Sequence, residues 1–152
     1  MHYLSRSIAK SFAHTLAVTR QALERHDFAI LAQIDVRRTL KKRLGVDRRP
    51  YVILSACSLR LARDTLSADD EIGPLMLHAV VVQERDDGCI EISTVDPTAT
   101  IGTINHVDVI RAAKELRRQL QAAFDEIDAL AARGAHLHGT TVRQAVSGEA
   151  TT

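Results

Sequence analysis

Apolar residues recur along the chain in alternating blocks of strand spacing and helical spacing. Residues 2–8 and 28–34 have a strand-like pattern, and residues 12–25 between them have apolar side chains at helical spacing, with Ser11 as a suitable N-cap. In the second strand, simple alternation places Phe28, Ile30 and Ile34 on one face and Ala29, Leu31 and Gln33 on the other.

A short basic helix is predicted next. Asp35 can cap it and Gly45 can end it, and its apolar stripe of Val36, Leu40 and Leu44 is expected to be buried. The helix and the loop after it carry the densest group of cations in the chain: Arg37, Arg38, Lys41, Lys42, Arg43, Arg48 and Arg49. Because no aromatic residues interleave with these cations to stack bases, we interpret them as a solvated face.

The stretch from Tyr51 to Glu84 is predicted to be a strand, a helix and a second strand. A β-rich run ends at Cys57, Ser58 opens a helix that reaches about Leu66, and residues 67–71 form an acidic turn before Ile72-Gly-Pro74. Residues 75–84 then form a strand that is apolar on both faces, which predicts a central strand covered on both sides.

The last third of the chain predicts a hairpin and one long helix. Asp86-Asp-Gly88 is a turn signal, residues 89–95 return as an antiparallel strand, and Asp96-Pro97 ends that strand. A helix over about residues 106–133, ended by Gly134, carries a nearly heptad stripe. We expect that stripe to pack along the sheet in preference to a self-pairing coiled coil.

These elements together predict an α+β fold with a mainly antiparallel sheet of about five strands. The helices pack against the sheet, and the long C-terminal helix lies along it. Residues 1–134 are predicted to form a single domain. Residues 135–152, which lack a periodic core pattern, are predicted to form a flexible tail that contains His136 and His138 as incidental histidines.

Composition narrows the range of functions. The chain has 152 residues, a formal net charge of +1 and two cysteines. It has neither a signal-peptide pattern nor an apolar run near the roughly 18 residues of a membrane span, so we expect a cytoplasmic protein without a membrane partner. The near-neutral charge argues against a nucleic-acid partner. Phosphate-cradling glycine loops and a serine nucleophile elbow are also absent from the sequence.

Cys57 is the candidate reactive residue. It stands just before a predicted helix N-terminus, with Arg60 and Arg63 within about one turn, and this setting favours a thiolate. The alternative is an inert cysteine buried at the corner between strand and helix, since free cysteine is among the most buried residue types. His78 is a second candidate site residue, and the alternative is that it is a hydrogen-bonded strand histidine that binds no ligand.

The chain resembles the domain of unknown function 302 family, small bacterial and archaeal proteins without an agreed activity. The resemblance covers roughly residues 3–130 and implies a single α+β domain, commonly a homodimer. The segments that carry it are Phe28-Ala-Ile-Leu, Ile34-Asp-Val, Leu40-Lys-Lys-Arg-Leu-Gly45, Tyr51-Val-Ile-Leu-Ser-Ala-Cys57, Leu61-Ala62, Glu71-Ile-Gly73, Val80-Val-Val82 and Val95-Asp-Pro97.

Two departures from the family pattern lie at the candidate site. The family usually has Asn-Pro after its cysteine, where this chain has Ser58-Leu59, and typically Leu-Pro-Cys before the Val-Val strand, where this chain has Met76-Leu-His78. A cysteine pair would thus become Cys57 and His78. This weakens a disulfide-based redox role, whereas a thiolate and an imidazole could bind zinc, with Asp96 as a third ligand, or act as nucleophile and base.

Three hypotheses follow. We favour a homodimeric, non-enzymatic protein that binds a small ligand, an anion or a metal near Cys57, Ser58 and His78. A thiol-dependent redox or sulfur-transfer protein that uses Cys57 is the second hypothesis. The third is an interaction protein that acts through the long helix or the basic helix.

Overall fold

The computed structural model describes residues 3–68, 76–101 and 105–141, with the backbone alone for 134–141. These residues form five strands and five helices. In chain order they are β1 (Tyr3–Ile8), α1 (Phe12–Arg25), β2 (Phe28–Asp35), α2 (Val36–Leu44), β3 (Tyr51–Ser58), α3 (Leu59–Ala68), β4 (Leu77–Glu84), β5 (Ile90–Val95), α4 (Pro97–Thr100) and α5 (Val107–Thr141).

The strands form one sheet in the order β1-β5-β4-β3-β2, and every neighbouring pair is antiparallel. This confirms the predicted α+β class. The predicted hairpin joins β4 to β5, where the N–H of Arg85 donates to the carbonyl of Cys89 at 2.8 Å. Gly88 in that turn has a φ of +82°, which glycine adopts without steric cost.

Helices α1 and α5 cover one face of the sheet. Ion pairs fasten α5 to its neighbours: Arg6 of β1 reaches Asp125 and Asp128 at 2.6 and 2.8 Å, and Arg25 of α1 reaches Glu126 at 2.7 Å. The long helix therefore packs along the sheet, as predicted. The largest fully buried side chains include Phe124, Leu23, Leu54, Ile90, Ile92, Leu120, Ile127, Val80 and Val82.

The predicted helix caps of α1 and α2 are confirmed. The hydroxyl of Ser11 accepts a hydrogen bond from the N–H of His14 at 3.1 Å, and the carboxylate of Asp35 accepts one from the N–H of Arg38 at 2.9 Å. Gly45 ends α2 in the left-handed region, with a φ of +65°. Sequence analysis did not predict α4, in which Asp96 is the N-cap and Pro97 opens the helix.

A β-bulge at Leu31 changes which side chains of β2 face the helices. Ile30 pairs with Ala56, but Ala32 already pairs with Ser55, so the alternation shifts by one residue. Ile34 consequently lies on the face away from α1 and α5. The prediction that it shares a face with Phe28 and Ile30 is wrong.

Neither α1 nor α5 covers the second face of the sheet, and we call it the open face. Among the strand residues on it, which include Ile34, Ile53, Leu77, Ala79 and Val81, only Cys57 is buried. Leu77 is 52% exposed. Strand β4 is central, as predicted, but the prediction that both of its faces are covered is wrong, because α1 and α5 lie on the same side.

Helix α2 is more exposed than predicted. None of its residues is buried, and Leu44 is 71% exposed. The prediction of a buried stripe of Val36, Leu40 and Leu44 is wrong, because the helix leaves the end of an edge strand and thus lies beside the core.

Helix α5 continues beyond its predicted end. It runs to Thr141, so Gly134 does not end it, and residues 135–141 of the predicted tail are helical. Residues 142–152 lie outside the described part of the chain, as do residues 69–74 of the predicted acidic turn and of Ile72-Gly-Pro74. Within the described segments, none of the helices has the length and apolar character needed to cross a membrane.

Candidate functional site

Cys57 lies near the end of β3, on the open face. Its register partners are Ala29 of β2 and Leu77 of β4. The free thiol is 5% exposed, and burial raises its pKa above the usual value. Burial in an apolar setting disfavours the charged form of a thiol, and this is the cause of the raised pKa. Burial and the raised pKa favour the interpretation of Cys57 as an inert corner residue over that of a reactive thiolate.

His78 lies on the helix-covered face of β4. It pairs with Ala56 of β3 and is 9% exposed. Burial lowers the pKa of its imidazole to about 4, so the ring is neutral at pH 7. Its Nε2 atom is buried and has no hydrogen-bond partner among the described residues.

The structure does not bring Cys57 and His78 together. Cys57 pairs with Leu77, and the next pair in the ladder joins Ala56 and His78. Because successive side chains on a strand point to opposite faces, the thiol and the imidazole lie on opposite sides of the sheet. This arrangement suits neither a nucleophile–base pair nor shared coordination of one metal ion.

Asp96, the predicted third metal ligand, is engaged elsewhere. Its Oδ1 atom accepts hydrogen bonds from the N–H and hydroxyl of Thr98 at 2.9 and 2.7 Å, and its Oδ2 atom accepts one from Nε of Arg117 at 2.7 Å. Among the described side chains, which belong to residues 3–68, 76–101 and 105–133, no group of three or more His, Cys, Asp or Glu could hold a metal ion. The residues proposed as zinc ligands therefore do not fit a zinc site.

Ser58, the other predicted ligand-binding residue, lines a small, partly open cavity of about 40 Å³. The cavity lies between α3, α5 and the end of the sheet, and its walls are mainly apolar, including Leu61, Met76, Val109 and Leu116. Ser58 is 3% exposed, and no described residue hydrogen-bonds its hydroxyl. Ser58 and His78 share the helix-covered face, because Ser58 follows Ala56 by two residues on β3.

A wider cleft adjoins this cavity at the surface between α3 and α5. Its volume is about 560 Å³, and it shares Leu61, Thr65 and Ala112 with the cavity. Charged side chains surround this outer cleft: Asp64, Asp108, Arg111 and Glu115. The inner cavity and the outer cleft together give a site with an apolar end and a polar mouth.

Gln119 is a buried polar residue that the predictions from sequence do not include. The residue lies on α5, one turn after Leu116, and its Oε1 atom is buried without a hydrogen-bond partner in the described part of the chain. The signal was present in the sequence, because Gln119 occupies a core-facing position, three residues after Leu116 and four before Ala123. Among the described residues, the remaining buried side-chain atom without a hydrogen-bond partner is Nε2 of His14 on α1.

Comparison with known proteins gives a family and a fold. The family model described as "Domain of unknown function DUF302" matches residues 4–127. A crystal structure of an uncharacterized conserved protein DUF302 from Bacillus stearothermophilus superposes with a TM-score of 0.75 at 23% sequence identity. The match covers 84% of this chain and 98% of that protein. No curated protein matches the chain.

Proposed function

The chain belongs to the domain of unknown function DUF302 family, and on that premise we propose that it is a homodimeric, non-enzymatic protein that binds a small ligand between α3, α5 and the sheet. The observation that carries the proposal is that Ser58 lines the cavity and that its buried hydroxyl has no hydrogen-bond partner among the described residues. A buried polar group without a hydrogen bond costs roughly 1–3 kcal/mol, and a ligand that bonds it recovers that energy.

The chemistry of the walls defines the ligand class. The inner cavity is lined mainly by apolar side chains, and the side chain in its wall that is buried without a hydrogen-bond partner, the hydroxyl of Ser58, is neutral. A charged group placed there would lose its hydration without gaining a counter-charge. We therefore propose a ligand with an apolar body and a neutral hydrogen-bonding group.

The volumes of the inner cavity and the outer cleft indicate how a ligand would be placed in them. The inner cavity of about 40 Å³ has room for only a few water-sized groups, at roughly 10–15 Å³ for each, and it therefore accepts only one end of a ligand. The outer cleft of about 560 Å³ falls in the range of roughly 300–1,000 Å³ typical of small-molecule sites. We place the neutral hydrogen-bonding end at Ser58 and the rest of the molecule in the outer cleft.

The proposed function is non-enzymatic because of the positions and pKa values of Cys57 and His78. Their positions on opposite faces of the sheet remove the nucleophile–base pair, and the raised pKa of the thiol disfavours a redox or sulfur-transfer role. The same positions argue against metal binding by these side chains.

The open face supports the homodimer. Ile34 pairs with Ile53, and Ile53 pairs with Val81, so these three residues form an uncharged apolar row across neighbouring strands. A row of this kind is suited to packing against the same row of a second copy, with the sheets face to face. The dimerisation implied by the family resemblance therefore has a specific candidate surface.

Thermal unfolding with n-alkanols from n-butanol to n-octanol tests the ligand proposal. We expect millimolar concentrations of at least one alkanol to raise Tm, and Ser58→Ala to abolish that rise. Ser55→Ala is the matched control, because it makes the same change on the same strand but on the open face. Absence of any rise, or equal rises in the two variants, would overturn the proposed site.

A further inference from the structure

The α2 region has a strong local charge that the ligand proposal does not use. Residues 36–49 contain seven basic side chains and one acidic one, a net charge of +6, whereas the whole chain has a net charge of +1. Two of the cations have acidic partners: Lys41 pairs with Asp47 at 2.9 Å, and Arg49 pairs with Asp86. The other five, Arg37, Arg38, Lys42, Arg43 and Arg48, have no acidic partner in the described segments.

The fold concentrates these cations around a cleft. Gly45 ends the helix, and the ion pair between Lys41 and Asp47 holds the following loop against it. The cleft so formed has a volume of about 600 Å³ and is lined by five cations, Arg37, Arg38, Lys41, Lys42 and Arg48, together with Asp35, Val46 and Asp47. A second cleft of the same size shares Arg37, Asp47 and Arg48 with it.

Arg48 is held in position by an aromatic ring. Its guanidinium lies over the ring of Tyr51, 4.8 Å from the centroid. A cation–π contact of this kind restricts the side chain before a ligand arrives, so less conformational entropy is lost on binding. Arg37 lines the same two clefts from the helix, and the nearby like charges are repulsive without an anion between them.

We propose that the cleft between α2 and the loop to β3 binds a compact polyanion with phosphate-type oxygens, held mainly by Arg37, Arg38 and Arg48. Arginine forks match such oxygens in pairs. A compact anion suits the site better than a nucleic acid, because the cations converge within 14 residues and no aromatic side chain lines either cleft to stack a base.

Calorimetric titration with inorganic tripolyphosphate tests the proposal. We expect saturable binding of one tripolyphosphate per chain, weakened by added salt. Arg37→Gln combined with Arg48→Gln should weaken binding by at least about tenfold, because each substitution removes a charge-assisted hydrogen bond. Neither residue is buried, and thermal unfolding without anion would verify that the variant folds.

Arg63→Gln combined with Lys114→Gln is the control, because it removes the same charge from exposed positions on α3 and α5. We expect this variant to bind tripolyphosphate within about twofold of the wild type. Equal weakening in both double variants, or no saturable binding to the wild type, would overturn the site. Tighter binding of a DNA duplex that the α2 variant also abolishes would overturn the compact anion as its ligand.

Discussion

Asp96 accepts a hydrogen bond from Nε of Arg117 at 2.7 Å, and this single contact ties the end of β5 to the middle of α5. The other carboxylate oxygen caps α4 through Thr98. Asp96 is buried, whereas half of the Arg117 side chain is exposed. The Asp96 carboxylate therefore links three consecutive elements next to the candidate site: β5, α4 and α5.

Asp96→Ala should lower the free energy of unfolding at pH 7 by about 2 kcal/mol, because it removes a charge-assisted hydrogen bond and a helix cap. Burial alone would raise the pKa of this carboxyl, but the hydrogen bonds from Thr98 and Arg117 outweigh it and lower the pKa. The stabilisation is therefore complete above the unfolded pKa of about 3.9 and is lost as pH falls through the folded value.

Urea unfolding at pH 7 and near pH 3 measures the effect of Asp96. Asp108→Ala, which removes an exposed carboxylate 3.4 Å from Arg111, should change stability by less than about 0.5 kcal/mol at either pH. A loss in Asp96→Ala that is as small as this control would contradict the structural role of Asp96.

His78 should make the protein sensitive to mild acid. Because its folded pKa of about 4 lies below the unfolded value of about 6.5, protonation favours the unfolded chain. The contribution of neutral His78 to the free energy of unfolding is present above about pH 6.5 and declines as pH falls toward 4. About 2 kcal/mol of it is lost between pH 7 and pH 5. Chemical denaturation of His78→Leu should show this part of the pH dependence removed, while an unchanged slope would show that His78 is not buried as a neutral ring.

Cys57 should resist alkylation in the folded protein. In a Cys89→Ser background, we expect iodoacetamide at pH 8 to modify Cys57 only as fast as the protein opens, because the thiol is buried and its pKa is raised. Cys89, which is half-buried, should react faster in a Cys57→Ser background. Zinc should leave the rate at Cys57 unchanged, and rapid reaction at neutral pH or protection by zinc would restore the thiol-based hypotheses.

Val81→Arg should convert the proposed dimer to a monomer, because it places a charge on the central strand β4, at one end of the apolar row on the open face. Light scattering during gel filtration would give a mass near 16.7 kDa in place of about twice that value. Leu44→Arg, the same kind of change at an exposed apolar residue of α2, should leave the dimer intact. If the wild type is a monomer, or if Leu44→Arg dissociates the dimer and Val81→Arg does not, then the open face is not a dimer interface.

Local signals predicted the elements of the fold well. Ser11, Asp35 and Gly45 have cap chemistry that depends only on nearby residues, and the apolar stripe of α5 is long enough to identify its packing face. The start of α4 was also readable, because Asp96 followed by Pro97 is a helix-start signature as well as a strand end. Sequence analysis considered only the strand end.

The errors share a tertiary cause. An extra residue at Leu31 leaves the β2 pattern apolar on both sides of the bulge, so the pattern does not indicate that Ile34 changes face. Similarly, an apolar stripe on α2 or a second apolar face on β4 specifies what needs covering but not whether the same chain covers it. Cys57 and His78 are separated by strand register, which their positions in the sequence leave undetermined.

The pairing of β1 with β5 sets the order in which the sheet can be assembled during synthesis. Ile8 must wait for Ile90, more than eighty residues later, which at translation rates of about 5–20 residues per second means roughly 4–16 s. Strand β3 pairs with its sequence neighbours β2 and β4, so these three strands can form in the meantime. We therefore expect the nascent N-terminal segment, with the apolar side of α1 still unpaired, to be the part of the emerging chain that chaperones bind.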